Sequence, residues 1–212
     1  MEVYMNTSEK YWNKKAEGYA KSPVSDEETY KRKLTETQSF LQPKMRLLEF
    51  GCGTGTTAIH HASHVLHIDA IDISENMLNI GREKASNAGV ANITFTRSTL
   101  TEFNAGAASL DAVLGLNVIH LLPDRQSVLT EVARILKPGG VFVSSTVCLG
   151  NSYFRFIKPF VPLGKFLGVM PDVYVLTESE LASEVRDAGF TIERQWHHGP
   201  KDVVVFMVAR KL

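Results

Sequence analysis

A short apolar run, Leu47-Leu48-Glu49-Phe50, breaks into Gly51-Cys52-Gly53-Thr54-Gly55, and a helix-forming stretch follows from Thr56. This junction constrains the chain more than any other feature. Glycine weakens both strand and helix interiors but turns tightly, so the spacing predicts strand, turn, helix. Such a turn lets backbone approach a ligand closely, and the helix N-terminus behind it offers unpaired N–H groups. Taken alone, the motif is weak evidence, its alternative being a tight turn with no ligand.

The same rhythm recurs along the chain. Val65 to Ile71 reads as a second strand ending at Asp72. Ser74 caps a helix carrying Met77, Leu78, Gly81, Ala85 and Ala88, which Gly89 stops. Ile93-Thr94-Phe95 and Leu110 to Leu116 are the next strands. Pro123-Asp124 opens a helix carrying Val128, Leu129, Val132, Ile135 and Leu136. Pro138-Gly139-Gly140 ends that helix and feeds a fifth strand, Val141 to Val147. Thr177-Glu178-Ser179-Glu180 is a capping box for a helix ending at Gly189. Phe190 to Trp196 and Val203 to Ala209 are two strands joined by residues 197–202, too short a link for a parallel crossover. The expected fold is α/β: a mostly parallel seven-stranded sheet with one antiparallel strand near its end and helices on both faces.

Four segments are expected within one domain. Residues 1–44 form a helical cover broken at Pro23, and 45–148 a ligand-binding core. Residues 149–176 are an aromatic insert, and 177–212 a closing helix and hairpin.

Composition narrows the function classes. Lys+Arg and Asp+Glu both number 23 in 212 residues, giving zero formal net charge. Binders of nucleic acid carry a basic excess to neutralise phosphates, so no nucleic-acid partner is expected. The two cysteines, Cys52 and Cys148, form no CxxC pair and suit a reducing cytoplasm. The start of the chain has no signal-peptide pattern. The apolar stretch Phe154 to Met170 is interrupted by Arg155, Lys158, Pro159, Pro162 and Lys165, so it does not read as a spanning helix.

Asp72 sharpens the glycine turn. It lies 17 positions after Gly55, at the end of the second strand. In an open α/β sheet that point borders the first strand's loop, where nucleotides bind. A carboxylate there accepts hydroxyls of an unphosphorylated ribose, or else only caps the following helix.

Four blocks now stand in order: Leu48-Glu49-Phe50-Gly51-Cys52-Gly53-Thr54-Gly55; Ala70-Ile71-Asp72-Ile73-Ser74-Glu75-Asn76-Met77-Leu78; Asn117-Val118-Ile119-His120-Leu121-Leu122-Pro123-Asp124; and Arg134-Ile135-Leu136-Lys137-Pro138-Gly139-Gly140. In these the chain resembles class I S-adenosylmethionine-dependent methyltransferases, in the branch holding many small-molecule and quinone-pathway enzymes. The resemblance implies a Rossmann-like methyltransferase fold, the cofactor S-adenosylmethionine and its product S-adenosylhomocysteine. It places Glu49 and the loop Gly51, Cys52, Gly53, Thr54, Gly55 at the methionine part of the cofactor, and Asp72 at the ribose. Ile73 and Met77 would pack on the adenine, with Ser98, Thr99 and Leu100 at its edge. Asn117 and Val118 would line the floor beneath the sulfonium. Relatives often carry an acid where this chain has Thr99, so the hydroxyl or the backbone must serve there.

The N-terminal cover adds Tyr11, Trp12, Tyr19 and Tyr30. Aromatic faces attract a sulfonium, and Tyr11 and Tyr19 are the candidates, Tyr19 preferred; the alternative is that these rings only staple helices to the sheet. His120, after the fourth strand, is the candidate general base, or else a wall residue. His60, His61, His64 and His67 read as structural or solvated, and His197 and His198 as exposed in the last hairpin. No metal site is expected. Tyr153, Phe154, Phe156, Phe160, Phe166 and Tyr174, with Arg155, Lys158 and Lys165, read as a lid over an apolar or aromatic small-molecule acceptor. A membrane-surface patch or an ordinary packed insert are the alternatives. Competing functions are a nucleic-acid or protein methyltransferase, an NAD-dependent oxidoreductase or a non-catalytic cofactor binder. Thr56 stands where the dinucleotide fingerprint needs its third glycine. Oligomeric state is not legible.

Overall fold

The computed structural model describes residues 2–151, 171, 173–198 and 203–212. Two helices lead: α1 (Glu2–Lys21) and α2 (Glu27–Gln38), the latter capped by Asp26, whose carboxylate accepts from Thr29 N. The alternation then begins with β1 (Arg46–Phe50), α3 (Thr56–His61), β2 (His67–Asp72), α4 (Glu75–Asn87) and β3 (Ile93–Arg97). It continues with α5 (Leu100–Phe103), β4 (Leu110–Leu116), α6 (Arg125–Ile135) and β5 (Leu136–Val147). It closes with α7 (Glu178–Asp187), β6 (Phe190–His198) and β7 (Val204–Lys211).

Local chemistry accounts for most of these boundaries. Ser74 Oγ accepts from Met77 N at the head of α4, and Asp124 accepts from Ser127 N at the head of α6. Thr177 and Glu180 form the expected capping box on α7. Each such cap is worth roughly 0.5–2 kcal/mol to its helix.

The seven strands lie in the order β3-β2-β1-β4-β5-β7-β6. All neighbouring pairs from β3 to β5 are parallel, and β7 is antiparallel to both β5 and β6. This is the sheet the sequence predicts. Successive residues of β1 are buried on both faces. One face, with Leu48, Phe50, Val113 and Phe142, packs beneath α6 and α7. The other, with Leu47, Leu114, Val143 and Phe206, packs beneath α3. Strands covered on both sides read as continuous apolar runs, which is why they were legible.

Three boundaries differ from expectation. The helix α6 ends at Ile135, and Leu136, with φ −71° and ψ 141°, already pairs with Leu110 in the sheet. Pro138-Gly139-Gly140 sits inside β5, where the register shifts between Leu110 and Ala112. Gly139, at φ +75°, makes that jog. Arg210 Nη1 donates to Gly139 O at 2.8 Å and Lys211 Nζ to Leu136 O at 2.7 Å, so side chains from β7 hold the bulge. The second strand starts at His67 instead of Val65, because residues 62–64 continue α3 as a 3₁₀ turn. Finally, His197 and His198 belong to β6 and pair with Val205 and Val204. His197 Nε2 lies 2.8 Å from Glu178 Oε2, a polar contact between β6 and α7 rather than a loop position. The aromatic residues 153–166 lie outside the described residues. Among the described residues no helix is long and apolar enough to cross a membrane.

Candidate functional site

The chain leaves β1 toward β2 and β3 on one side, and later adds β4, β5 and β7 on the other. The order therefore reverses between β1 and β4, and the carboxyl ends of these strands open a crevice there. The glycine turn lies in it. Gly51, Gly53 and Gly55 have φ of +64°, +54° and +68°, all left-handed. A Cβ on Gly51 would lie 2.6 Å from Val118 Cγ2, and one on Gly55 2.6 Å from Phe95. Those two glycines are required by packing as well as conformation. Above Gly53 the space is open, with only the Tyr19 ring at 3.9 Å.

Two carboxylates face this turn. Asp72 Oδ2 accepts from Gly53 N at 2.9 Å and Oδ1 from Ser74 N at 2.8 Å, so Asp72 ties the end of β2 to the turn. Each oxygen keeps a further lone pair for a ligand hydroxyl. Burial raises the Asp72 pKa, against the backbone donors at Ser74, Gly53 and Ile73. Glu49 is 3 % exposed, and its Oε2 has no hydrogen-bond partner among the described residues. Burial, and then the Asp72 charge, push its carboxyl up to about 8. A buried, unpartnered carboxylate beside an open backbone cradle is chemically incomplete. It fits a ligand that brings a cation.

The cover helix α1 is fastened over this crevice. Asn13 Oδ1 accepts from Ser74 Oγ at 2.8 Å and from Asn76 N at 3.1 Å, and Asn13 O accepts from Asn76 Nδ2. Arg97 at the end of β3 pairs with Glu9. Sequence reasoning missed Asn13, because a lone polar residue on a polar helix carries no signal. Tyr19 is 53 % exposed, yet its hydroxyl is raised by burial of the phenolic end and then by the charges of Glu49 and Asp72. Tyr11 stands two turns earlier, with ring contacts to Trp12 and Lys15 along α1 itself.

The other expected residues divide. Asn117 takes the left-handed φ of +56°, held by its N–H donating to Ser145 O at 2.7 Å. Val118 packs on Gly51. Ile73 keeps partial exposure, but Met77 is 2 % exposed and offers almost no surface to an adenine. Leu100 is likewise in the core. Thr99 spends its hydroxyl on the capping box of α5, accepting from Glu102 N and donating to Glu102 Oε2, and Ser98 Oγ donates to Thr99 O. A contact at this edge is thus left to the backbone. The Thr54 hydroxyl accepts from Lys84 Nζ at 3.0 Å, and the Cys52 thiol is buried with its pKa raised by desolvation, so the turn presents mainly main-chain atoms. His120 is buried, its Nδ1 has no partner among the described residues, and desolvation lowers it to about 4. That imidazole is neutral and only weakly basic.

A second cavity adjoins the crevice and was not anticipated. Tyr30, Lys33, Leu34 and Thr37 of α2, Thr57 and His61 of α3, and Leu116, Asn117 and Ser145 line a small pocket of about 50 Å³ that opens to solvent. Asn117 belongs to both. The signal was present: residues 30, 33, 34 and 37 share one helical face by spacing.

Residues 47–140 match the family model described as a methyltransferase domain. The chain is 31% identical over 188 residues to the demethylmenaquinone methyltransferase of Listeria welshimeri, covering 79% of each chain. It is 32% identical over 115 residues to the ubiquinone biosynthesis O-methyltransferase of Hahella chejuensis, covering 54% of this chain and 48% of that one. A crystal structure of a SAM-dependent methyltransferase from Aquifex aeolicus superposes with a TM-score of 0.66 at 19% identity, covering 85% of this chain and 89% of that chain. The chain belongs to the class I S-adenosylmethionine-dependent methyltransferases.

Proposed function

We propose that this enzyme methylates a small, apolar aromatic acceptor of the hydroxylated-ring type, whose hydroxyl edge enters the small open pocket beside Asn117. The observation that carries the reading is that pocket: it adjoins the crevice at Asn117 and has both apolar and hydroxyl-bearing walls. The curated relatives are named for quinone-pathway acceptors, which supports the same class.

The cofactor supplies a methyl group on a positively charged sulfur. Residues of this chain then have three tasks. Glu49 and the backbone of Gly51 to Gly55 bind the zwitterionic end, Asp72 the ribose hydroxyls, and Ile73 with the backbone at Ser98 and Thr99 the adenine. Tyr19 lays its ring over the turn and favours a cation there. Asn117 and Val118 form the floor that fixes the distance between acceptor and methyl, since displacement depends chiefly on alignment and exclusion of water. His120 serves as a neutral wall and hydrogen-bonding group, because its basicity is too low for a strong proton acceptor. Residues 1–44 act as the cover and 149–176 as the lid. Two unpaired, buried thiols, Cys52 and Cys148, support a cytoplasmic setting.

The test is transfer of labelled methyl from S-adenosylmethionine to a panel of naphthoquinols, benzoquinols, aliphatic amines and oligonucleotides. Label should enter the ring hydroxyl series alone. Transfer only to amines or oligonucleotides would overturn the acceptor class.

A further inference from the structure

Lys33 is the cation of the acceptor pocket, and the reading above leaves its chemistry unused. Its Nζ donates to Ser145 Oγ at 3.2 Å, and Ser145 Oγ donates in turn to Asn117 Oδ1 at 3.4 Å. The amine is thereby fixed at the carboxyl ends of β4 and β5, next to the residue shared with the cofactor crevice. Its neighbours on α2 are neutralised: Lys31 pairs with Glu27 and Arg32 with Glu36. Among the described residues Lys33 makes no ion pair. An ammonium has three donors and one is used. Desolvation accordingly holds the amine down at about 8, and the distant Asp26 offsets only part of this.

A second lining residue of this pocket is also incomplete. His61 is 1 % exposed, and neither ring nitrogen has a hydrogen-bond partner among the described residues. Leu34 and Leu116 supply apolar surface to the same pocket. A cation without a counter-ion, an imidazole without a partner and an apolar wall suit one kind of ligand: a flat apolar ring carrying an anionic oxygen.

We propose that Lys33 is the acceptor-recognition residue, its ammonium pairing with an ionised ring hydroxyl that sits between it and His61. The inference rests on the acceptor reading given above. Its chemical consequence is selection: an aryl hydroxyl is stabilised as the oxyanion, the electron-rich form that attacks a methyl group, whereas its ether or hydrocarbon analogue gains nothing from the pair.

The probe is 4-nitrophenol, whose oxyanion has its own visible absorption band, titrated into the full-length enzyme saturated with S-adenosylhomocysteine. The bound phenol should ionise at a pH about 1–3 lower than in water, as expected for an opposite charge at this range. Lys33→Met should abolish that displacement and weaken binding about tenfold or more, while Lys33→Arg should retain it. Calorimetry should give the same S-adenosylhomocysteine affinity for all three proteins, and 4-nitroanisole should bind wild type and Lys33→Met alike. Wild-type binding of the oxyanion should decline as the pH passes above the range where the amine loses its proton, and the arginine variant should show no such decline. The other groups facing Lys33 stay fixed there: Asp26 is held below the usual carboxylate range, Tyr30 is raised by burial, and His61 is lowered to about 4. Among the described lining residues the sheet and its β4 end contribute only the uncharged Leu116, Asn117 and Ser145.

An unchanged ionisation displacement in Lys33→Met would overturn the inference and leave the acceptor reading standing. Lys33-dependent binding of benzoate, with none of 4-nitrophenol, would overturn the hydroxyl assignment. Failure of the wild type to bind both 4-nitrophenol and 4-nitroanisole would remove the aromatic acceptor itself.

Discussion

Replacing Glu49 by glutamine separates the cost of its buried carboxyl from its use. In the folded chain this group ionises near 8, against an ordinary value of 4.5. Below pH 4.5 it is protonated in both folded and unfolded states and does not alter stability with pH. Between 4.5 and about 8 the unfolded chain has lost the proton and the folded chain retains it, so stability falls as pH rises; above about 8 the fall levels off. At about 1.4 kcal/mol per pH unit, the full drop is on the order of 5 kcal/mol. Glu49→Gln removes this drop. Its amide N–H, if unpaired, costs roughly 1–3 kcal/mol at every pH. Thermal unfolding should therefore show the variant equal to or below wild type at pH 5 and above it at pH 9. The gap should move by about 10–20 °C across the range for a chain of this size. Cofactor binding should change the other way. Calorimetry should give about 10- to 150-fold weaker S-adenosylhomocysteine binding to the variant, the value of hydrogen bonds to a charged group. Wild-type affinity should rise with pH up to about 8, with uptake or release of protons revealed by buffers of different ionisation enthalpy. A melting gap that stays constant from pH 5 to 9 would refute the burial argument. Undiminished affinity in the variant would refute the placement of Glu49 at the cofactor.

Asp72→Ala should weaken S-adenosylhomocysteine binding by about 1.5–3 kcal/mol, read by calorimetry, since it removes ligand contacts and frees Gly53 N. Gly55→Ala should destabilise by about 2–4 kcal/mol in denaturant unfolding, combining left-handed strain with a Cβ forced onto Phe95. Adding Phe95→Leu should restore part of that loss, and an additive double variant would show that the clash is not the cause. Phe156→Ala with Phe160→Ala should weaken acceptor binding and spare cofactor affinity; equal loss of both would end the lid reading.

Much of this protein was legible because its chemistry is local. Capping side chains at Ser74, Asp124 and Thr177 act within three residues, so their spacing marks the helix starts directly. The glycine turn and Asp72 were legible for a related reason: left-handed backbone and a strand-end carboxylate leave residue-type signatures wherever the strands pair. The boundary at Leu136 was not, because its pairing with Leu110 and the hold of Arg210 and Lys211 on the bulge arise across the sheet.

The sequence by itself determined the layered sheet, the family and the glycine turn at the end of β1. Tertiary structure decided which side chains those elements leave available. Packing buried Met77 and engaged Thr99, and it placed Glu49 where desolvation holds its carboxyl up. It also carried Lys33 to Ser145, 112 positions away in the chain. Hydrogen-bond geometry along a few residues is encoded by spacing, whereas desolvation depends on everything that packs around a group, and that is set only when distant segments meet.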